Sequence, residues 1–320
     1  MTVPGITREH PNFRTAPSLD SQVIRVLEPG TLVEVMERQG DYFHVIVDGQ
    51  QGFVHIDYVL PNPGGPVSDT QPIPPPPPPA IVSPDAFAGD ASLINVPLAP
   101  PPELAINGGS NVAKVWNGYG GLLTLMAGNI GIDPAVAVAT LAVESGGRSA
   151  GQDGRLLIRF ENHIFYKYWG AAHDAEFRQH FTFDPNVTWK GHNWRPTVNE
   201  PWRASHVDIQ SVEWDAFGFA CGLDDNAARL SISMGITQVM GFNHDTIGYA
   251  TPAAMFDAFS RSPRYQVLGF FDFVRKNGAI PALQNADYSR FALIYNGAGQ
   301  VDAYARQIRD AVAEFRALRG

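Results

Sequence analysis

Two textures of apolar spacing divide this chain. Over residues 10–60 the apolar positions form short alternating clusters, Val23-Ile24, Leu32-Val33-Glu34-Val35, Tyr42-Phe43-His44-Val45-Ile46-Val47 and Gly52-Phe53-Val54. Glu28-Pro29-Gly30, Gln39-Gly40-Asp41 and Asp48-Gly49 punctuate them as turns, and together they predict a small all-β barrel. From residue 108 onward the spacing becomes helical. Helices are expected near 110–129, 133–145, 214–230, 252–258, 263–276, 287–296 and 301–318, with little strand signal. Between the two textures lies a segment with more than half of the chain's 26 prolines, including the run Pro74 to Pro79. It offers little to bury and reads as a stiff spacer of about 3.1 Å per residue in the polyproline state.

The most sharply bounded helix is Asp133-Pro134-Ala135-Val136-Ala137-Val138-Ala139-Thr140-Leu141-Ala142-Val143-Glu144-Ser145. Asp133 suits the cap, Pro134 suits the first turn and Gly146-Gly147 stops it. Its interior is almost wholly apolar, so the helix should be buried, and the only carboxylate within it, Glu144, closes it. A helix C-terminus and apolar surroundings both favour the protonated acid. A carboxyl held neutral can donate a proton, for example to the leaving oxygen of a glycosidic bond.

Composition narrows the possibilities. With 44% apolar and 17% charged residues over 320 positions, the chain is expected to fold as more than one domain. A net charge of −9 without any basic run argues against nucleic acid as a partner. No stretch has the length of a membrane span, and the N-terminus shows neither the basic nor the apolar region of a signal peptide. Synthesis in a cytoplasm is therefore expected, and an extracytoplasmic substrate would require release by outside help such as a holin or an injection apparatus. The single cysteine, Cys221, sits in an apolar run and is read as structural. His173, Glu176 and His180 share a helical spacing but form no zinc motif, so no metal and no cofactor are expected. The last helix places Val301, Tyr304, Ile308, Val312, Phe315 and Leu318 on one face, read as core packing.

Two resemblances add to this reading. Asn12-Phe13-Arg14-Thr15-Ala16-Pro17-Ser18, Pro29-Gly30-Thr31, Tyr42-Phe43-His44-Val45, Gly52-Phe53-Val54-His55 and Tyr58-Val59 together resemble a bacterial SH3-like domain. That resemblance implies binding to peptidoglycan, while Tyr42, Phe43 and Phe53 are read as filling the barrel. In the second half, Glu144-Ser145, Gly235-Ile236-Thr237-Gln238 and Tyr295-Asn296-Gly297 follow the order seen in the lysozyme-like superfamily of goose-type lysozymes and lytic transglycosylases. Adding Phe160-Glu161-Asn162-His163-Ile164-Phe165-Tyr166, Gly241-Phe242-Asn243 and Gly248-Tyr249, most of residues 110–320 resembles a phage N-acetylmuramidase family of endolysins. Met234 stands where that family is expected to carry Trp, and Arg159 where it is expected to carry Leu.

The resulting expectation is a multidomain protein. It comprises an SH3-like wall-binding domain over 1–60, a proline-rich linker over 61–107 and a mainly α, lysozyme-like N-acetylmuramidase domain over 108–320. Glu144 is the expected catalytic acid and Glu161 a second catalytic carboxylate. Ser145, Gly235, Gln238, Tyr295 and Asn296 are the expected substrate contacts. Acting as a monomer on peptidoglycan, the enzyme would cut between N-acetylmuramic acid and N-acetylglucosamine. A lytic transglycosylase, an injected antibacterial effector and an inactive wall-binding adaptor remain as alternatives.

Overall fold

Strong β-formers at alternate positions give the first seven strands: β1 (Val3–Thr7), β2 (Asn12–Arg14), β3 (Val23–Val26), β4 (Leu32–Gln39), β5 (Tyr42–Val47), β6 (Gln50–His55) and β7 (Val59–Pro61). In this computed structural model the described residues are 3–7, 11–18, 21–28, 30–40, 42–61, 83, 85–151, 153–207, 209–298 and 301–319. They fall into two compact units, Met1–Pro75 and Pro76–Gly320. The seven strands form one antiparallel sheet in the order β3-β2-β6-β5-β4-β1-β7. Alternation turns Val33 and Val35 of β4, Val45 and Val47 of β5 and Val54 of β6 onto a core centred on Phe13. Tyr42 is buried, as expected, whereas Phe43 and Phe53 are only partly buried and Phe53 stacks on His44.

The second unit is mainly helical. It opens with α1 (Ala91–Ile94), followed by α2 (Asn111–Asn129) and α3 (Pro134–Ser145). The cap read from the sequence forms: the Asp133 side chain accepts the Ala135 N–H at 2.8 Å, and Gly146 ends α3 with φ 63°. Next come β8 (Ile158–Phe160), α4 (Asn162–Tyr168), α5 (Asp174–His180), β9 (Phe181–Thr182), β10 (Asn193–Trp194) and β11 (Arg203–Ala204). The remainder is α6 (Gln210–Leu230), β12 (Ile232–Met234), β13 (Val239–Met240), α7 (Pro252–Arg261), α8 (Pro263–Lys276), α9 (Ile280–Gln284), α10 (Tyr288–Asn296) and α11 (Val301–Arg319). Helix α3 packs against α2 and α11, so nearly every side chain it carries is buried.

The seven expected helices are all present; besides the short α1 and α9, most of what the helical spacing passed over lies between 150 and 206. There α4, α5 and the strands β8 to β11 are too short to show a period, and they join β12 and β13 from farther along the chain in two three-stranded sheets, β11-β10-β9 and β13-β12-β8. They are held by an aromatic cluster in which Phe160, Phe165, Phe177 and Phe181 meet at ring-centroid distances of 5.4–6.3 Å. Helix α6 breaks its helical geometry at Asp224, whose side chain caps the Ala227 N–H and restarts the helix.

The expectation of a spacer over 61–107 does not hold for its second half, which lies docked on the helices. Arg264 of α8 donates to the Leu93 and Val96 carbonyls at 2.7 and 2.6 Å, and the buried Asp272 accepts the Phe87 N–H at 2.9 Å. Arg275 lies over the Phe87 ring, the Trp116 indole donates to the Leu104 carbonyl, and Asn117 pairs with both backbone groups of Ile106. Ala88, Leu93 and Ile106 thereby join the main core. Replacing Arg264 with Met, which removes two charge-assisted bonds, is expected to cost about 1–3 kcal/mol. Denaturant titration measures that loss, and early proteolytic cutting between residues 85 and 107 should accompany it.

Candidate active site

Glu144 is the last residue but one of α3, and the burial of that helix fixes where its carboxyl points: into a cleft of about 210 Å³. Its Oε1 accepts a hydrogen bond from the Tyr304 hydroxyl of α11. Ser145, buried beside it, also lines the cleft, and its hydroxyl has no hydrogen-bond partner among the described residues. Arg148, from the turn after α3, adds a positive charge to the rim.

The rest of the lining comes from Leu157 and the start of β8, from α6, from His206 and from Gln238. Gln210 pairs with both backbone groups of Ile158 at 2.9 Å, in effect extending the short sheet with a side-chain amide. Glu213, almost fully buried, accepts the backbone N–H groups of Phe160 and His206 at 2.8 and 2.7 Å. Burial raises its carboxyl above the usual range, and the two backbone amides oppose that rise. His206 adopts φ 62°, in the left-handed region that a residue with a Cβ rarely enters. It is held there by the amide bond to Glu213, by Nε2–H donating to the Phe160 carbonyl at 3.0 Å and by Arg159 donating to Nδ1 at 2.9 Å. Such over-determined strain is a feature of functional sites.

Of the expected substrate contacts, Gln238 lines the cleft with Glu144 and Ser145. It is braced from both ends of its amide, accepting from the Ser233 hydroxyl and donating to the Gly235 carbonyl, each at 2.8 Å. One amide N–H and one carbonyl lone pair are left over for other partners. Gly235 and Tyr295 are not part of the lining. A Cβ on Gly235, where φ is 69°, would fall 2.3 Å from the Gln266 side chain, so it is a buried glutamine that approaches the bare backbone there. Tyr295 lies close enough to Glu144 for that carboxyl to help hold its phenol above the ordinary range, although burial is the larger cause. Its hydroxyl donates to the Thr237 carbonyl at 2.8 Å. The side chain of Asn296 lies outside the described residues. Met234 is fully buried in β12 and presents nothing to the cleft, whereas Arg159, the other departure from the expected pattern, is exposed on its wall.

Glu161 sits away from the lining, in contact with residues that form it. Arg159 Nε lies 3.4 Å from its Oε1 and His206 Nε2 3.8 Å from its Oε2. Nδ1 of His163 and Nδ1 of His192 lie 3.5 and 3.6 Å from the same Oε2. Burial lifts the Glu161 carboxyl to about 7, against the pull of Arg159 and with a push from Glu213. Burial also lowers His192 to about 4, with His163 and Arg159 adding to the fall and a backbone bond to Thr188 opposing it. His206 is lowered to about 3, again by burial first and then by His192 and Arg159.

Sequence reasoning missed Tyr304, His206, Glu213 and Arg159 as members of this site. Glu213 did leave a signal: it stands on the buried stripe of α6 with Ala216, Phe217 and Ala220, where an ionisable residue is out of place. Tyr304 left none, because a tyrosine on an apolar helix face looks like ordinary packing. His173 stacks on Trp169 and His180 bonds the Arg195 carbonyl, so these two engage different neighbours. The Cys221 thiol is pushed up to about 12, by burial and then by Asp225. Alkylation at pH 8 is therefore expected to be at least about 10-fold slower in the folded protein than in denaturant, followed by mass.

A family model described as N-acetylmuramidase matches residues 133–316, and one described as bacterial SH3 domain matches residues 9–59. No curated protein matches the chain. Among solved structures it is similar to one titled crystal structure of Burkholderia AP3 phage endolysin. That similarity has 26% identity and a TM-score of 0.49, over 61% of this chain and 70% of that one.

Proposed function

The chain belongs to the N-acetylmuramidase family and is a peptidoglycan-degrading enzyme, and from that premise we propose that it is an endolysin in which Glu144 is the catalytic acid. The bond cut is the glycosidic link between N-acetylmuramic acid and N-acetylglucosamine. Glu144 gives its proton to the leaving oxygen, the carbon–oxygen bond at the anomeric centre breaks, and water supplies hydroxyl to that carbon and a proton back to the carboxylate. The observation that carries the proposal is the position of Glu144, a carboxyl delivered by a buried helix to the wall of a polar cleft.

The neighbouring groups have supporting tasks in this scheme. Tyr304 orients the carboxyl and, as a hydroxyl donor, stabilises the anion left after proton transfer. Gln238 offers its remaining donor and acceptor to an N-acetyl or hydroxyl group. Arg148 and Arg159 meet the negative charge of peptide stems and lactyl groups, which an acidic enzyme would otherwise repel. The SH3 domain holds the wall while the helical unit cuts. No helix among the described residues is long and apolar enough to cross a membrane.

A lytic transglycosylase is the second reading, and one observation favours it. Of the two carboxyls lining the cleft, Glu213 is committed to two backbone amides, which leaves Glu144 as the proton carrier and Glu161 outside the lining. With one such carboxyl the substrate's own hydroxyl can act as nucleophile. Mass spectrometry of fragments released from purified sacculi separates the readings. Reducing N-acetylmuramic ends support hydrolysis, anhydro ends support transglycosylation, and reducing N-acetylglucosamine ends would place the cut at the other glycosidic bond. Intact sacculi after treatment with folded enzyme would overturn both.

A further inference from the structure

The cluster behind the cleft has the composition and spacing of a metal site. Glu161, His163 and His192 each offer one ligand atom, and these atoms all lie within 4.8 Å of one another. Tetrahedral zinc holds nitrogen and oxygen ligands at about 2.0–2.2 Å, which sets them roughly 3.3–3.6 Å apart. Nδ1 of His163 and Nδ1 of His192 lie 3.5 and 3.6 Å from Glu161 Oε2, longer than a good hydrogen bond and right for co-ligands.

The hydrogen bonds around the cluster point the same way. Glu161 Oε2 and His163 Nδ1 are both buried and have no hydrogen-bond partner among the described residues. Leaving an acceptor oxygen of a buried carboxylate bare is costly, and a cation removes that cost. Glu161 divides its two oxygens, Oε1 facing Arg159 and Oε2 facing the two imidazoles. His192 lies 2.7 Å from the Thr188 carbonyl through Nε2, which fixes the proton there and leaves the Nδ1 lone pair directed inward. That lone pair now takes only a 3.3 Å bond from the Asn162 N–H. Such a carbonyl partner on the far nitrogen is the usual support of a metal-binding histidine. The side chains of Glu161 and His163 are 14% and 23% exposed, so water can reach a fourth position.

We propose that Glu161, His163 and His192 bind one divalent transition-metal ion of the zinc type, pinning the start of α4 to the Thr188–His192 turn. Through Arg159 and His206, which touch Glu161 and line the cleft, the ion also steadies the cleft wall. The ligand set, two imidazoles and one carboxylate, suits zinc, with cobalt as a visible substitute.

The test uses the untagged full chain, stripped with EDTA and titrated with zinc, then with cobalt. Elemental analysis after dialysis should find one zinc per chain, zinc should raise the melting temperature, and cobalt should give the visible absorption of a tetrahedral site. His163→Gln, at a partly exposed position, should keep its fold by circular dichroism and weaken zinc binding by at least about 10-fold. His192→Gln should do the same, while His173→Gln, on a separate stack with Trp169, should bind like the wild type. Absence of bound zinc in the wild type, unchanged binding in His163→Gln, or loss of binding in His173→Gln would each overturn the assignment.

Discussion

Glu144→Gln is expected to lower the rate of glycan release from sacculi by about 10³-fold, with melting temperature and wall binding unchanged. Glutamine keeps the shape of the side chain and can still meet the Tyr304 hydroxyl, but it has no acidic proton to give. The substitution therefore removes the chemistry while sparing α3 and its packing. The loss should appear in the turnover number far more than in the Michaelis constant, because proton donation acts on the transition state. Initial rates of turbidity clearance at fixed enzyme over a series of wall concentrations give both. A variant that retained a tenth or more of the wild-type rate would remove Glu144 from the role of proton donor.

Glu213→Ala is expected to destabilise the helical unit by about 3 kcal/mol. The carboxylate joins α6 to β8 and to the strained backbone of His206 through two amide bonds. Alanine leaves both N–H groups without their acceptor and opens a small void. His206 should then leave its left-handed conformation, so activity falls along with stability. Glu213→Gln offers one acceptor where two donors converge and is expected to fall between the two. Chemical denaturation followed by tryptophan fluorescence measures both variants, and a loss below about 1 kcal/mol for alanine would mean that water replaces the carboxylate.

What could be read in advance was local. Asp133, Pro134 and Gly146 act within one turn of the helix they bound, so both ends of α3, and with them the place of Glu144, follow from neighbouring residues. The β alternation of the first unit was legible for the same reason. The pairings that complete the site span the chain: Phe160 with Glu213 across 53 positions, and Glu144 with Tyr304 of α11 across 160. Gly235 was read as a place where substrate approaches the backbone, and nothing near it in the chain names Gln266, the residue that presses against it. The helical stretch near 150–206 was obscure because its elements are two to seven residues long and its order comes from aromatic packing, which has no period.

The docked strand of chain over 85–107 bears on how such modules can be exchanged between wall-lytic proteins. A family boundary at 133, or one drawn where the helical texture begins at 108, would cut between α8 and the backbone carbonyls that Arg264 caps. A graft made there would bring along the groove that receives Ala88, Leu93 and Ile106 with nothing to fill it. The portable unit therefore begins by Ser83, upstream of both boundaries, and chimeras joined at that point carry their own cover.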